Sequence, residues 1–370
     1  MIPVFRPDHD EREVQAVREV LLSGWTGLGP KVAEFEKAFA EYIGVQFAVA
    51  TNSCTSALHL ALRCWAENTG PGYIITTPMS FISGTHAIMY ENMFPYFGDV
   101  ERDTLNLDIR SVPKEVLRSA KGILCVHFGG HACDMDTIMQ VAEDYDLFVI
   151  EDVAHGCGGS HRGRKLGGLV DAGCFSFQSV KNLSCGDGGM LTTNSRAAYE
   201  EASKLRWLGI DKSTWSRKSG EYAWDYDVSE LGYKYHMNDI TAAIGLVQLE
   251  KLDDANNRRR QLAERYNKKL RTVHTHQPER AYATSCWHNY VIRTPERDRL
   301  FLHLKDAGID SSVHYKPHYL YDLYKWVPGD HPVADEVWKD ILTLPLYPSM
   351  TEDEQDLVIN EVHKFTEMEN

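Results

Sequence analysis

Residues 172–194, AGCFSFQSVKNLSCGDGGMLTTN, contain two short apolar runs separated by a turn that carries a single lysine, Lys181. The runs cover 173–177 and 188–193, and each has the length of a buried strand. A surface lysine normally lies among other charged residues, whereas short apolar runs, glycines and small hydroxyl residues surround this one. The stretch therefore predicts two strands joined by a partly buried turn that holds the lysine.

Similar apolar runs recur along the first two thirds of the chain and alternate with helix-like segments. Continuous apolar runs of this length suit strands that are buried on both faces of a sheet. The alternation predicts an α/β layer sandwich with a mixed, mostly parallel sheet. The strand-like runs, each ending in polar residues or glycine, are 47–53, 73–78, 122–128, 147–155, 172–177 and 188–194.

A long helical pattern at 238–270 predicts the connection to a second domain. It begins with apolar and small residues and ends highly charged. A chain of 370 residues also fits two domains, since one domain typically has roughly 150 residues. We therefore expect a large domain at 1–250 and a smaller α+β domain at 251–370.

The sequence of the smaller domain contains fewer patterns that predict helices and strands. Thr351 and Glu354 have the spacing of a capping box at the start of a closing helix. The other predicted elements are strands near 287–294 and 311–317 and a helix at 297–307.

Composition and charge exclude several classes of protein. With 39 basic and 53 acidic residues the net charge is −14, which disfavours general binding to nucleic acid or to an anionic membrane. No apolar run approaches the ~18 residues of a membrane-spanning helix, and the first residues lack the pattern of a signal peptide. The eight cysteines form no CxxC pair, so we expect them reduced and the protein cytoplasmic.

Polar residues that are suited to catalysis or binding lie at the ends of the predicted strands, where ligands of α/β sheets bind. Asp152 ends an apolar run, and a buried carboxylate is costly unless it is paired. Residues 51–58, TNSCTSAL, place small and hydroxyl residues at a strand-to-helix junction, where N–H groups can bind phosphate. Each feature alone also has a structural reading, as a buried salt bridge or a plain helix cap.

Together with Lys181, these residues predict a site for pyridoxal 5'-phosphate (PLP). A carboxylate can pair with the protonated pyridine nitrogen, a lysine amine can bond to the aldehyde, and the helix start can hold the phosphate. A dry site also disfavours the charged form of the lysine, which helps it act as nucleophile and base. The spacing of His127, His131 and Cys133 allows a metal site as an alternative, but we expect no metal.

The chain resembles the DegT/DnrJ/EryC1/StrS family of PLP-dependent nucleotide-sugar aminotransferases, which have the fold-type I aminotransferase architecture. The resemblance covers nearly the whole chain, and many ordered matches make it specific. The matching stretches are 23–45, 48–61, 76–88, 127–136, 151–159, 175–194, 232–252 and 344–354.

The resemblance implies roles for the residues around the cofactor ring. Lys181 would bind the cofactor covalently and, once released, move the proton during amino transfer. Asp152 would keep the pyridine nitrogen protonated, and His155 would lie near the ring hydroxyl. Phe81 would stack on the face of the ring.

The resemblance also implies phosphate contacts and a shared site. Ser176, together with Cys54 and Thr55, would bind the phosphate. The segment 233–236 would reach into the site of a partner subunit in a homodimer. Within it, Lys234 stands where many members have asparagine, and it would contact the phosphate as a cation.

Two further stretches would hold the substrate. Arg217 lies in an aromatic and charged segment and would meet a diphosphate. His314, Tyr315 and His318 would contact the nucleotide sugar near the cleft between the domains, and ordinary surface is the alternative for both stretches.

By this resemblance, the expected reaction moves the amino group of L-glutamate to C4 of a nucleotide-linked keto-deoxysugar. A C3-specific aminotransferase and a PLP-dependent sugar dehydratase remain alternatives, although family dehydratases carry histidine at the position of Lys181. A cofactor- or sugar-binding module without turnover is the non-enzymatic alternative.

Overall fold

The computed structural model describes residues 1–66, 69–210, 226–270 and 275–369. Its strands are β1 (Phe47–Thr51), β2 (Tyr73–Thr76), β3 (Phe94–Phe97), β4 (Ala120–Val126), β5 (Phe148–Asp152), β6 (Ser160–His161), β7 (Arg164–Lys165), β8 (Ala172–Ser176), β9 (Gly189–Thr193), β10 (Thr275–His276), β11 (Ala283–Thr284), β12 (Tyr290–Arg293) and β13 (Ile341–Leu344). Its helices are α1 (Glu11–Ser23), α2 (Pro30–Ile43), α3 (Cys54–Ala66), α4 (Ser83–Tyr90), α5 (Lys114–Ser119), α6 (Met135–Tyr145), α7 (Arg196–Leu205), α8 (Asp239–Leu270), α9 (Arg297–Asp306), α10 (Pro332–Asp340) and α11 (Glu352–Glu369).

A seven-stranded sheet in the order β1-β9-β8-β5-β4-β2-β3 forms the centre of the fold. The pairs β2–β3, β2–β4, β4–β5 and β5–β8 are parallel, whereas β9 runs antiparallel to both β1 and β8. The six strand-like runs of the sequence are all strands of this sheet. The predicted α/β fold with a mixed, mostly parallel sheet is confirmed.

Helices cover both faces of this sheet, which explains the continuous apolar runs. On one face, α3, α4 and α7 pack on residues such as Ile150, and on the other α6 packs on residues such as Val149. The helices α2 and α8 cover the end of the sheet that contains Phe175 and Met190. Burying each such side chain contributes about 1.5–3 kcal/mol to folding, so the strands need apolar residues at successive positions.

The 32-residue helix α8 connects the sheet to a second core. Its first half packs with the large sheet through Leu252, and its second half packs through Tyr266 on the C-terminal helices. The predicted division at 250 falls inside this helix and stays a prediction. Ile2 also belongs to the second core, because it pairs with Ile309 there.

The second core contains the three-stranded antiparallel sheet β10-β12-β13 and the helices α9 and α11. The predicted helix at 297–307 and the capping box are present, with Thr351 N–H donating to Glu354 Oε2 at 2.9 Å and Glu354 N–H donating to Thr351 Oγ1 at 3.1 Å. The predicted strand at 311–317 is reduced to one bridge, between Ser312 and Thr343. Pro317 lacks an N–H donor and cannot extend that ladder.

Within the described residues, no helix combines the length and the apolar character that crossing a bilayer requires.

Candidate active site

Three predicted stretches meet at the carboxyl edge of the central sheet. β5 ends at Asp152 and its parallel neighbour β8 ends at Ser176, with Asp152 opposite Cys174 in their register. β1 ends at Thr51, opposite Gly189, and α3 begins three residues later. Parallel topology therefore brings together the carboxylate, the lysine turn and the helix start, which lie far apart in sequence.

The turn after β8 holds Lys181. Its N–H donates to the carbonyl oxygen of Gln178 at 2.8 Å. A second hydrogen bond, from Cys185 N–H to the carbonyl oxygen of Phe177 at 2.9 Å, closes the turn. Burial lowers the pKa of the Lys181 ammonium to about 8, while the carboxylate of Asp152 acts in the opposite direction. A lysine with this pKa has more of the neutral amine, which is the form that attacks a carbonyl carbon.

Asp152 is a buried carboxylate with one oxygen already engaged. Ala154 N–H donates to Oδ1 at 2.9 Å, and the Cys54 thiol lies 3.9 Å from the same oxygen. Burial raises the pKa of Asp152, and the Ala154 hydrogen bond and the charge of Lys181 oppose that rise. A buried carboxylate of this kind requires a cationic partner, and a protonated ring nitrogen is such a partner.

His155 lies three residues beyond Asp152, in the loop that follows β5. Gly129 N–H donates to its Nδ1 at 3.4 Å, and its Nε2 lies 3.0 Å from the hydroxyl oxygen of Tyr315. Burial, followed by the charge of Lys181, holds the pKa of His155 well below its usual range. The imidazole is therefore neutral near pH 7.

The start of α3 forms a cup with free N–H groups. Ser53 caps the helix, because its Oγ accepts from Ser56 N–H at 3.1 Å and its carbonyl oxygen accepts from Ala57 N–H at 3.2 Å. The N–H groups of Cys54 and Thr55 have no intrahelical acceptor, as at any helix start. They can bind an anion, which the positive end of the helix also favours.

Gly189 and Ser176 form the base of this cup. The two residues are paired between β8 and β9, and Ser176 is buried. A Cβ at Gly189 would lie 2.4 Å from the carbonyl atoms of Ser53 and 2.6 Å from Cys54 N, so only glycine permits this approach. The lysine, the buried carboxylate and the cup at the start of α3 together fit PLP.

We expect Gly189→Ala to weaken PLP binding about tenfold to hundredfold, because the new methyl group displaces the backbone of the cup. The measurement is a titration of the purified protein with PLP, followed by the visible absorption of the bound cofactor. Gly27→Ala is the matched control, since a Cβ there meets nothing within 4 Å. Unchanged PLP affinity in Gly189→Ala would contradict the assignment of the cup.

A cleft of about 570 Å³ adjoins His155 through Tyr315, which lines the cleft and hydrogen-bonds to the imidazole. Phe81 is 62% exposed on its wall, which leaves the ring available to stack on a bound molecule. His314 and Tyr315 line the same cleft, and burial lowers the pKa of His314 to about 4. Their contact with substrate stays a prediction.

His318 does not line the cleft, which corrects the prediction that it contacts substrate. Its side chain is fully buried, its Nε2 donates to the carbonyl oxygen of Ser80 at 2.7 Å and its Nδ1 accepts from the Thr85 hydroxyl at 2.9 Å. Burial lowers its pKa to about 4. Since both nitrogens are engaged, His318 supports the wall of the cleft from behind.

Lys234 lies beside the cup. Its carbonyl oxygen accepts from the side-chain amide of Asn52 at 3.3 Å, and its exposed ammonium lies 3.6 Å from the centre of the Trp207 ring. Phosphate contact by Lys234 stays a prediction. Arg217, the other predicted cation of the site, lies outside the described residues.

The residues that suggested a metal have other partners. His127 Nε2 lies 3.0 Å from Glu151 Oε2, and its Nδ1 accepts from Cys133 N–H at 3.1 Å. His131 Nε2 accepts from the N–H of Arg280 at 3.0 Å. In the described ranges no group of three or more such side chains is arranged to hold a metal ion.

Sequence reasoning missed His288 and Gly129, which both contact His155. His288 lies 133 positions after His155, inside a run that also looks like an ordinary strand. No spacing rule connects two residues that meet only when the two cores pack together.

Comparison with known proteins agrees with this geometry. The model of the DegT/DnrJ/EryC1/StrS aminotransferase family matches residues 7–363. The spore coat polysaccharide biosynthesis protein SpsC of Bacillus subtilis is 40% identical over 98% of this chain and 96% of its own length. The match with SpsC therefore covers nearly the whole length of both chains.

Two solved structures share the fold. The sugar aminotransferase CalS13 from Micromonospora echinospora is 29% identical, with a TM-score of 0.90 and coverage of 98% of this chain and 100% of that chain. Spr1654 from Streptococcus pneumoniae, solved in a PLP form, is 29% identical, with a TM-score of 0.90 and 99% coverage of both chains. The chain belongs to the DegT/DnrJ/EryC1/StrS aminotransferase family and is a PLP-dependent sugar aminotransferase.

Proposed function

We propose that the enzyme moves the amino group of L-glutamate to C4 of a nucleotide-linked keto-deoxysugar. The observation that supports this substrate class best is the chemistry of the cleft beside His155. Among the described residues that line it, aromatic and basic side chains occur and no carboxylate does, although the chain as a whole has a net charge of −14. Those lining residues include Phe81, His86, His314, Tyr315, Lys316, Tyr321 and Tyr324.

Two parts of a nucleotide-linked sugar are complementary to the side chains that line this cleft. Its base and sugar rings present flat or apolar faces that pack on aromatic side chains. Its diphosphate is anionic and is attracted to basic groups, of which Lys316 is exposed on the wall. Lys316 Nζ lies 4.5 Å from the centre of the Tyr321 ring, so a cation and an aromatic face are presented together.

The residues of the site have separate roles in amino transfer. Bound PLP supplies an aldehyde that accepts the amino group and a ring that withdraws electrons. Lys181 would hold the cofactor and, once released, would carry a proton on Nζ between two carbon atoms. Asp152 would hold the proton at the ring nitrogen, and Phe81 would cover the ring face. The lowered pKa of Lys181 allows Nζ to accept and return a proton near neutral pH.

We include a homodimer with shared active sites in the proposal. The segment 233–236 adjoins the cup through Asn52, and its neighbouring side chains are exposed in a single chain. Leu231 is 89% exposed and Val228 is 55% exposed. Exposed apolar residues beside an active site favour burial against a second copy of the chain. We expect the homodimer to be located in the cytoplasm.

The test begins with the visible spectrum of the PLP-loaded protein before and after L-glutamate is added. Conversion to the aminated cofactor supports glutamate as the donor. The aminated protein is then offered 3-keto- and 4-keto-6-deoxyhexoses linked to different nucleotides, and NMR identifies the carbon of each product that carries nitrogen. Amination of the 3-keto sugars but not of the 4-keto sugars would overturn the C4 assignment, and loss of a hydroxyl without amino transfer would indicate a dehydratase.

We expect Lys316→Gln to weaken inhibition by a free nucleoside diphosphate about tenfold and to leave the reaction with L-glutamate unchanged. The exposed ammonium attracts the diphosphate, and a net contribution near the lower end of the about 1.5–3 kcal/mol of a hydrogen bond to a charged group corresponds to that change. Inhibition constants measured in the sugar half-reaction provide the comparison. Lys37→Gln, which removes an 80% exposed lysine of α2, is the matched control. Equal inhibition of the two variants would show that Lys316 does not contact the diphosphate.

A further inference from the structure

Four aromatic rings form a continuous stack beside the active site. His155 and His288 have ring centres 4.4 Å apart and planes inclined by 30°. Phe5 lies on the other side of His288, with centres 5.1 Å apart and planes inclined by only 3°. Tyr315 stacks on His155 at 5.9 Å and 16°. The stack joins the N-terminal segment, the loop after β5 and the C-terminal part of the chain.

The hydrogen bonds of His155 determine which nitrogen carries its proton. Gly129 N–H is a donor, so Nδ1 of His155 acts as the acceptor and carries no hydrogen. The imidazole is neutral, and its hydrogen therefore lies on Nε2, where it is donated to the hydroxyl oxygen of Tyr315 at 3.0 Å. Tyr315 keeps its own hydroxyl hydrogen, which it can donate into the cleft that it lines.

His288 has its orientation fixed from outside the stack. The side-chain nitrogen of Asn182 donates to Asn256 Oδ1 at 2.8 Å and to the carbonyl oxygen of Cys286 at 2.9 Å. The amide oxygen of Asn182 must therefore accept, and His288 Nδ1–H donates to it at 3.1 Å. Asn182 follows Lys181 directly, so His288 connects the lysine turn to the ring of His155.

We propose that His288 is a positioning residue, which by stacking holds His155 with its Nε2 proton directed at Tyr315. Its ring is 2% exposed and covers one face of His155, so water does not reach that face. His288 itself contacts neither the cleft lining nor the cup among the described contacts. The proposal concerns the cofactor site and does not depend on which sugar is the substrate.

The environment of His155 explains why covering this face matters. Burial and the charge of Lys181 hold the pKa of His155 well below its usual range. Removing the ring of His288 would admit water, lower the cost of charging the imidazole and raise its pKa toward the ordinary value of about 6.5. The titratable groups that face His155 are Lys181, His288, His314, Tyr315 and Cys286.

We expect His288→Ala to add a titration step to the visible absorption of the PLP-loaded protein, beyond the titration of the lysine-bound cofactor itself, because the pKa of His155 rises toward its ordinary value. At about pH 5.5, turnover of the sugar substrate falls about tenfold relative to the wild type, because a charged His155 no longer presents the same hydrogen bonds. Combining His288→Ala with His155→Gln removes the titrating group, so the new step must disappear. A step that persists in the double variant, or no step in His288→Ala, would overturn the proposal.

Two further measurements keep the test independent of folding defects. His288→Phe retains an aromatic ring in the stack but loses the hydrogen bond to Asn182, and we expect it to behave as the wild type. If it titrates as His288→Ala does, stacking is not what positions His155. In the wild-type protein labelled with ¹⁵N-histidine and free of cofactor, NMR should find the His155 hydrogen on Nε2, and a hydrogen on Nδ1 would refute the assignment.

Discussion

Lys181→Ala abolishes amino transfer, with an expected loss of at least about 10³-fold in kcat/KM. The substitution removes the amine that we propose binds PLP covalently and carries the proton, and within the described site Lys181 is the lysine placed beside Asp152. The visible absorption band of lysine-bound PLP disappears as well. Both losses are measured on protein that has been purified away from wild-type enzyme.

Lys181→Arg is the control for charge and size at this position. Arginine keeps a cation but stays protonated, so it neither attacks the aldehyde nor accepts a proton near neutral pH. We therefore expect it to be as inactive as Lys181→Ala while binding PLP more tightly than that variant. Turnover comparable to the wild type in either protein would disprove the role of Lys181.

Asp152→Asn lowers kcat by about 10²–10⁴-fold, the range expected when a charged group that acts on the reacting system is neutralised. Asparagine has nearly the same size, and its oxygen can still accept the hydrogen bond from Ala154 N–H. The change therefore removes mainly the negative charge that we propose holds a proton at the ring nitrogen. Single-turnover measurements with L-glutamate separate this effect from binding of the sugar.

Asp171→Asn is the matched control for a carboxylate-to-amide change near the sheet. Asp171 is exposed, and its Oδ2 accepts from Val149 N–H at 2.8 Å at the start of β5, the end of the strand opposite to Asp152. We expect near-normal amino transfer from it. If Asp152→Asn were as active as this control, a charge at position 152 would not be needed for the reaction.

The fold was largely predictable because its strongest signals are local. Runs such as 147–155 are apolar at successive positions, and only a strand covered on both faces buries all of them. The structure ends this strand at Asp152, where the chain leaves the sheet and polar residues begin. The prediction of a strand at 311–317 was wrong beyond a single bridge, because a short strand depends on a neighbour that supplies hydrogen bonds.

The cofactor was predictable from residue chemistry, because a lysine, a carboxylate and a helix start suited to phosphate are the groups that PLP requires. The sequence could not decide which of the adjacent histidines face the cleft. His314 lines it, whereas His318, four residues later, turns behind the wall and uses both nitrogens inside the protein. Such a difference depends on burial, which follows from packing of distant elements.

The sequence alone thus determined the α/β architecture and predicted Lys181 and Asp152 as the candidate cofactor residues at the strand ends, because each follows from local apolar patterning and residue chemistry. Only the tertiary structure decided how the two cores meet. The contact of His288 with His155, the donor role of Gly129 and the close approach at Gly189 all join residues more than 20 positions apart. Contacts of that kind carry no periodic signal and arise only when the sheet, α8 and the C-terminal core pack together.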